Sequence, residues 1–287
     1  MTLDAQMKQC LEQALASGKD DSCPPKLKAA LHHAVFPGGA LVRPKLCIAV
    51  ASACNPEVDL SDAMAAATAL ELLHCASLVH DDLPCFDDAD HRRGKSAVHI
   101  EFGENLAVLA GDALIVLAFQ TLARKSQTYF RELTLVMADA TAPPNGICAG
   151  QAWESEPTID IKAYHNAKTA ALFVAATRAG AVSVGASDTE WRALGENLGL
   201  AYQIADDLRD AVLTPDVLGK PAKQDARNDR PNAVEAFGVQ GAYTRLHDAI
   251  DAAASSVPDC AGTDGLRQLI HAQAVRLTPE HLDQDVA

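Results

Sequence analysis

The chain has 287 residues, 48% of them apolar and 22% charged, with a formal charge of −14 and a pI near 5.0. So acidic a chain excludes nucleic acid as a partner, because a phosphate backbone selects basic surfaces. The start carries no basic segment followed by an apolar run, and the apolar stretches read as too short or too broken to cross a bilayer. The sequence therefore predicts no stable membrane insertion and a cytoplasmic setting. Eight cysteines without a CxxC pair, mostly in apolar helical context, read as reduced core thiols.

In chain order, Leu3, Met7, Leu11 and Leu15 fall at helical spacing and predict a helix at the N-terminus. "GKDDSCPP" and "FPGG" then read as breaks. Residues 61–82, "SDAMAAATALELLHCASLVHDD", are apolar nearly all round, which predicts a buried helix with Ser61 as its N-cap. Ala- and Leu-rich segments of helical length continue beyond it, divided by "TAPPNG", "LTPDVLGKPAKQDARNDRPN" and "VPDCAGTDG", and residues 278–287 read as a frayed tail. Without strand–helix alternation, internal repeat or linker, the pattern predicts one all-α domain over residues 1–287.

Two acidic clusters interrupt this pattern. Asp81, Asp82, Asp87, Asp88 and Asp90 stand just before Arg92, Arg93 and Lys95. Ionised carboxylates about 4 Å apart repel by roughly 4 kcal/mol at an effective dielectric of about 20, so a converging cluster requires a cation or shifted protonation. Asp81 and Asp87 are six apart, about 240° around an unbroken helix, and converge only if Pro84 ends the helix between them. His74, seven residues before Asp81, lies about 20° from the same face. In the second cluster, "YQIADDLRDAV", Asp206 and Asp210 are one turn apart with Asp207 on the adjoining edge. An all-oxygen donor set points to Mg²⁺, which keeps waters and is completed by substrate phosphates. Arg43, Arg92, Arg93, Lys168 and Lys220 could then take the outer phosphate oxygens. One acidic motif alone is more often a solvated helix end on so acidic a chain; two, each closing an apolar helix and followed by basic residues, favour a site.

With these motifs in place, the chain resembles the trans-polyprenyl diphosphate synthases over about residues 25–260, in the family's order. The motifs are "DDLPCFD" at 81–87, "RRG" at 92–94, "GQAWE" at 150–154, "KT" at 168–169, "QIADDLRD" at 203–210 and "GK" at 219–220. Class I terpene cyclases share the first motif, but their second mixes Asn, Ser and Glu, which disfavours cyclisation. The resemblance implies a helical bundle of the isoprenoid synthase type around a central apolar cavity, and a homodimer. It implies about three Mg²⁺ ions per site, with Mn²⁺ as a substitute. Asp81, Asp87 and Asp206 would be the primary ligands, with Asp82, Asp207 and Asp210 ligating or supporting through water. Arg92, Lys168 and Lys220 would hold an allylic diphosphate, assisted by Arg230, while Arg43, His74 and Arg93 would hold isopentenyl diphosphate. Thr169 and Gln203 would lie beside the developing allylic cation.

The implied reaction is a 1′–4 condensation of isopentenyl diphosphate with dimethylallyl, geranyl or farnesyl diphosphate. In the family, residues just over one turn before the first aspartate floor the tail pocket. Here they are Cys75, Ala76 and Ser77, none of them bulky, which implies a C20 product, geranylgeranyl diphosphate, over C15. "HCASLVHDDLP" and "GICAGQAWESE" are similar to geranylgeranyl diphosphate synthases of bacterial carotenoid and photosynthetic-pigment pathways. One departure stands out: "GGALVRP" at 38–44 has Ala40 and Leu41 where the family has Lys and Arg. Losing a charge-assisted hydrogen bond weakens diphosphate binding by roughly 10- to 100-fold. Lys45 is a candidate substitute, though its helical position points it elsewhere. The departure also leaves open a non-catalytic regulatory subunit.

Overall fold

Alanine-rich segments with few β-branched residues coil readily, and the computed structural model, which describes residues 1–16, 22–36, 38–212 and 232–277, is helical almost throughout. The helices are α1 (Leu3–Leu15), α2 (Pro25–Val35), α3 (Val42–Cys54), α4 (Ser61–Asp81), α5 (Val98–Phe102), α6 (Glu104–Lys125), α7 (Phe130–Thr141), α8 (Ile147–Ala152), α9 (Ile161–His165), α10 (Ala171–Val182), α11 (Arg192–Val212), α12 (Ala233–Ser255) and α13 (Thr263–Leu277). Helix α12 is interrupted at Gly238, whose φ is +70°. A short hairpin, β1 (His91–Arg92) with β2 (Lys95–Ser96), was not expected from the sequence.

Helix α4 is the axis of the bundle and packs against α3, α6 and α10. Its alanines let neighbouring backbones approach, while Leu70, Leu72 and Leu73 are fully buried, each stabilising by roughly 1.5–3 kcal/mol. Ser61 is not its N-cap: Leu60 is, and Ser61 donates through both its amide and its hydroxyl to Asp59. The buried Asp62 instead does the anchoring. Its carboxylate accepts from the amides of Gln127, Thr128 and Tyr129 at 2.8–3.2 Å, fixing the α6–α7 turn to the start of α4.

Two sequence expectations need correction here. Helices α4 and α6 are each long and apolar enough to cross a membrane, contrary to the reading that every apolar stretch is too short or broken. In α4 that character belongs to the core, for most of it is buried; α6 packs along α4 but leaves an apolar face outside. All eight cysteines are unpaired, yet Cys23, Cys85 and Cys148 are exposed and so are not core thiols. Burial pushes the thiols of Cys47 and Cys75 up to about 12.

Candidate active site

One cavity of about 610 Å³ opens between the C-terminal ends of α4 and α11, closed on other sides by α6, α8 and α10. Helix α4 ends at Asp81, three residues ahead of Pro84, and the chain turns back so that the Asp87 amide donates to the Asp81 carbonyl at 3.0 Å. This turn brings both Asp81 and Asp87 to the cavity, as the proline spacing predicted. On α11 the lining residues are Tyr202, Gln203, Asp206, Arg209 and Asp210, one face of a helix at 3.6 residues per turn.

Asp82 and Asp207 do not line this cavity; each holds a residue that does. Asp82 is buried behind the turn and accepts from Arg92 Nε at 2.9 Å and from its Nη2, which fixes a guanidinium that does line the cavity. Asp207 lies about 140° around α11 from Tyr202 and accepts from Gln203 Nε2 at 3.0 Å and the Ala233 amide at 2.7 Å. It thereby ties α11 to the start of α12 and turns the Gln203 amide so that Oε1 accepts from Thr169 Oγ1 at 2.7 Å. Thr169 and Gln203 both line the cavity, presenting oxygen dipoles to it.

Lys168 and Thr169 sit on a π turn, Asn166–Ala170, between α9 and α10. Such turns recur at functional sites because their extra residue re-aims side chains. Lys168 Nζ lies 3.5 Å from Asp81 Oδ1 and donates to Glu154, which also accepts from the Tyr164 hydroxyl at 2.7 Å. Burial pushes the Asp81 carboxyl above its ordinary range; Lys168 opposes the shift and Asp87 adds to it. Asp81 Oδ1 is buried with no hydrogen-bond donor, and the cavity carboxylates are all-oxygen donors, so Asp81, Asp87, Asp206 and Asp210 suit a hard divalent cation. Among the described residues no group of three carboxylate, His or Cys side chains could cage a metal alone, so phosphate oxygens would complete its shell.

The other end of the site is cationic. Arg43 Nη1 and Arg93 Nη2 lie 3.3 Å and 3.2 Å from the same His74 Nε2, so that nitrogen is the acceptor and the ring is neutral. Burial, then Arg43, Arg93 and Arg92, hold the His74 imidazole well below its usual range. Arg93 is aimed by the hairpin: it and Gly94 have φ of +54° and +74°, the type I′ pattern, and its guanidinium lies against Gly39. It touches His74 from outside the main cavity, whereas Arg43 and His74 line it. Lys45 pairs with Asp4 at 2.8 Å and plays no part here. Lys220 and Arg230 lie outside the described residues.

Ala76 and Ser77 line the cavity with Leu73, Ile115 and Leu172 around them. Cys75 does not, correcting its place in the tail pocket: one helical step turns it away, and its thiol donates weakly to the buried Glu71. Sequence reasoning missed Glu71 and Gln151. Glu71, buried near Arg43 and Arg93, is a lone acid within an apolar run, which could have marked it. Gln151 lines the cavity with its Nε2 buried and unpartnered, and its position inside "GQAWE" was the available signal.

A helical bundle whose one cavity brings together carboxylates, guanidiniums and apolar walls defines a class of enzymes that handle diphosphates of apolar compounds. The chain belongs to the polyprenyl synthetase family, whose profile matches residues 24–261. It is 50% identical over 283 residues to geranylgeranyl diphosphate synthase of Cereibacter sphaeroides, covering 97% of this chain and 98% of that one. It is 47% identical over 281 residues to geranylgeranyl diphosphate synthase of Rhodobacter capsulatus, covering 96% of each. The fold superposes with a TM-score of 0.77 on a Helicobacter pylori geranyltransferase complexed with magnesium and isoprenyl diphosphate, at 26% identity, covering 96% of this chain and 97% of that one.

Proposed function

We propose that the chain is a prenyltransferase that condenses isopentenyl diphosphate head-to-tail with an allylic diphosphate and releases geranylgeranyl diphosphate. The observation that carries this is one cavity lined together by Asp81, Asp87, Asp206 and Asp210, by the cations Arg43, Arg92 and Lys168, and by apolar side chains. Mg²⁺ at Asp81, Asp87, Asp206 and Asp210, about three ions with Mn²⁺ as an alternative, would supply charge neutralisation for a departing diphosphate.

The chain's own residues divide the remaining work. Arg92, steadied by Asp82, and Lys168, held by Glu154, take oxygens of the allylic diphosphate. Thr169 Oγ1 and Gln203 Oε1 direct lone pairs at the allylic carbon as its C–O bond ionises, preorganised by the Asp207 bond to Gln203. The isopentenyl double bond attacks that carbon, and the proton then lost passes to the released diphosphate. Isopentenyl diphosphate keeps its own diphosphate, so Arg43, Arg93 and neutral His74 bind it without ionising it. Leu73, Ala76, Ile115 and Leu172 exclude water from the cation and receive the tail.

The same reading takes the chain as one cytoplasmic domain of a pigment pathway, resting on the sequence resemblance. It takes the protein as a homodimer, supported by the exposed apolar face of α6, where Leu109 and Val116 are 52% and 65% exposed seven residues apart. The test of function is incubation with Mg²⁺, labelled isopentenyl diphosphate and each allylic starter, followed by dephosphorylation and sizing. The expected result is a C20 alcohol, lost by at least about 10³-fold in Asp81→Ala or Asp206→Ala and shortened to C15 in Ala76→Phe. Wild-type protein that binds magnesium diphosphate but forms no product would reassign the chain as a regulatory subunit.

A further inference from the structure

The ammonium of Lys168 has two carboxylates within reach, and their roles differ. Asp81 lines the cavity and has to stay open to a divalent cation, whereas Glu154 is outside the lining and reaches the lysine from the protein side. The structure favours Glu154. Lys168 Nζ donates to Glu154 Oε1 but stops 3.5 Å from Asp81 Oδ1, and that buried oxygen makes no hydrogen bond among the described residues. Coulomb attraction alone would let the ammonium close on either carboxylate. Closing on Asp81 would put a cation where Mg²⁺ is to bind.

Tyr164 biases this choice. It is buried on α9, one turn before Lys168, and its hydroxyl donates at 2.7 Å to the same Glu154 Oε1 that the ammonium engages. A phenol is a neutral donor, so it fixes the Glu154 carboxylate and leaves the negative charge to the lysine. The Tyr164 ring meets the ammonium as well, with Nζ 5.8 Å from its centroid, at the outer limit of cation–π attraction. Tyr164 thus touches both members of the pair. The π turn Asn166–Ala170 begins between Tyr164 and Lys168, and across it hydroxyl and ammonium converge on one oxygen. An ammonium carries three hydrogens, so one engaged by Glu154 leaves others for oxygens that enter the cavity.

We propose that Tyr164 and Glu154 form a latch that holds Lys168 off Asp81, keeping that carboxylate free for the metal and the ammonium free for the diphosphate that arrives with it. This deepens the synthase reading and rests on its assignment of Mg²⁺ to Asp81. Tyr164 and Glu154 are positioning residues: Glu154 acts through Lys168, and Tyr164 acts through Glu154.

The test uses the full chain with Tyr164→Phe, Glu154→Gln and the two combined. Inorganic diphosphate is titrated calorimetrically in Mg²⁺, isopentenyl diphosphate is titrated in chelator, and the Mg²⁺ concentration for half-maximal turnover is measured. Glu154→Gln is expected to weaken magnesium diphosphate binding and raise the Mg²⁺ requirement by about 10- to 100-fold, and Tyr164→Phe by about 3- to 10-fold. Isopentenyl diphosphate binding in chelator stays as in the wild type. The double variant is no weaker than Glu154→Gln, because Tyr164 acts through Glu154. A merely structural tyrosine would weaken both ligands alike, and its loss would add to that of Glu154→Gln. Either result overturns the latch, and so does an unchanged Mg²⁺ dependence in Tyr164→Phe, with the synthase reading left intact. Should Glu154→Gln melt early, the Tyr164→Phe titrations decide alone. Wild-type protein that binds magnesium diphosphate but forms no product rejects the synthase reading, and the titrations still judge the latch. Wild-type protein that binds no magnesium diphosphate overturns both.

Discussion

His74 shows how a single buried side chain sets the character of one end of the site. With Arg43 and Arg93 both directed at its Nε2, protonation would place a third positive charge beside two others and remove their acceptor. Burial and those arginines hold its folded pKa below the ordinary value of about 6.5. Below that value the unfolded imidazole binds a proton that the folded one does not. The stability His74 contributes is therefore present above about pH 6.5 and lost as pH falls. His74→Gln keeps an acceptor oxygen without titrating, so the wild-type advantage in unfolding free energy should shrink by about 1.4 kcal/mol between pH 7.5 and 5.5. Denaturant melts of both proteins at the two values measure this, and an equal gap at both would show that folding leaves the affinity of the ring for its proton unchanged.

At the scale of elements, the π turn and α8 form one catalytic joint. Gly150 of α8 lies against the backbone of Lys168, and a Cβ there would fall 2.3 Å from the Lys168 nitrogen and 2.5 Å from its Cα. No rotamer relieves a clash with backbone, so Gly150→Ala must push α8 away from the turn that aims Lys168 and Thr169. The expected cost is about 1–3 kcal/mol of stability and a fall in kcat of more than about 10-fold with folding retained. Thermal melts with steady-state kinetics check both, and full activity would mean that the joint is slack. The sequence marks "GQAWE" and "KT" as motifs but contains no sign that they touch. Nor does helical periodicity reveal the hairpin at "HRRGKS", because two-residue strands are too short to show alternation.

For the whole molecule, α6 has a divided surface. One side packs along α4, and the other carries Leu109 and Val116 on one exposed face. Burying that face against a second copy is the arrangement proposed above. The double variant Leu109→Arg, Val116→Arg should then sediment near the monomer mass of 30.3 kDa, and the wild type near twice that. A monomeric wild type would remove the dimer from the functional reading.

Much of the chemistry is legible in the amino-acid order itself, because it is local. Helical periodicity alone puts Asp206 and Asp210 on one face, and the proline after Asp82 lets Asp81 and Asp87 converge. The all-α class follows from Ala- and Leu-rich segments with few β-branched runs. What needs the tertiary structure is which neighbour meets each side of a helix. Asp82 and Asp207 look like further ligands in a run of aspartates, yet one serves Arg92 and the other serves Gln203 and the Ala233 amide. Cys75 looks like Ala76 until packing turns it towards Glu71. Spacing along a helix determines the direction of a side chain, whereas its partner comes from a segment far away in sequence, and only the fold brings that segment near.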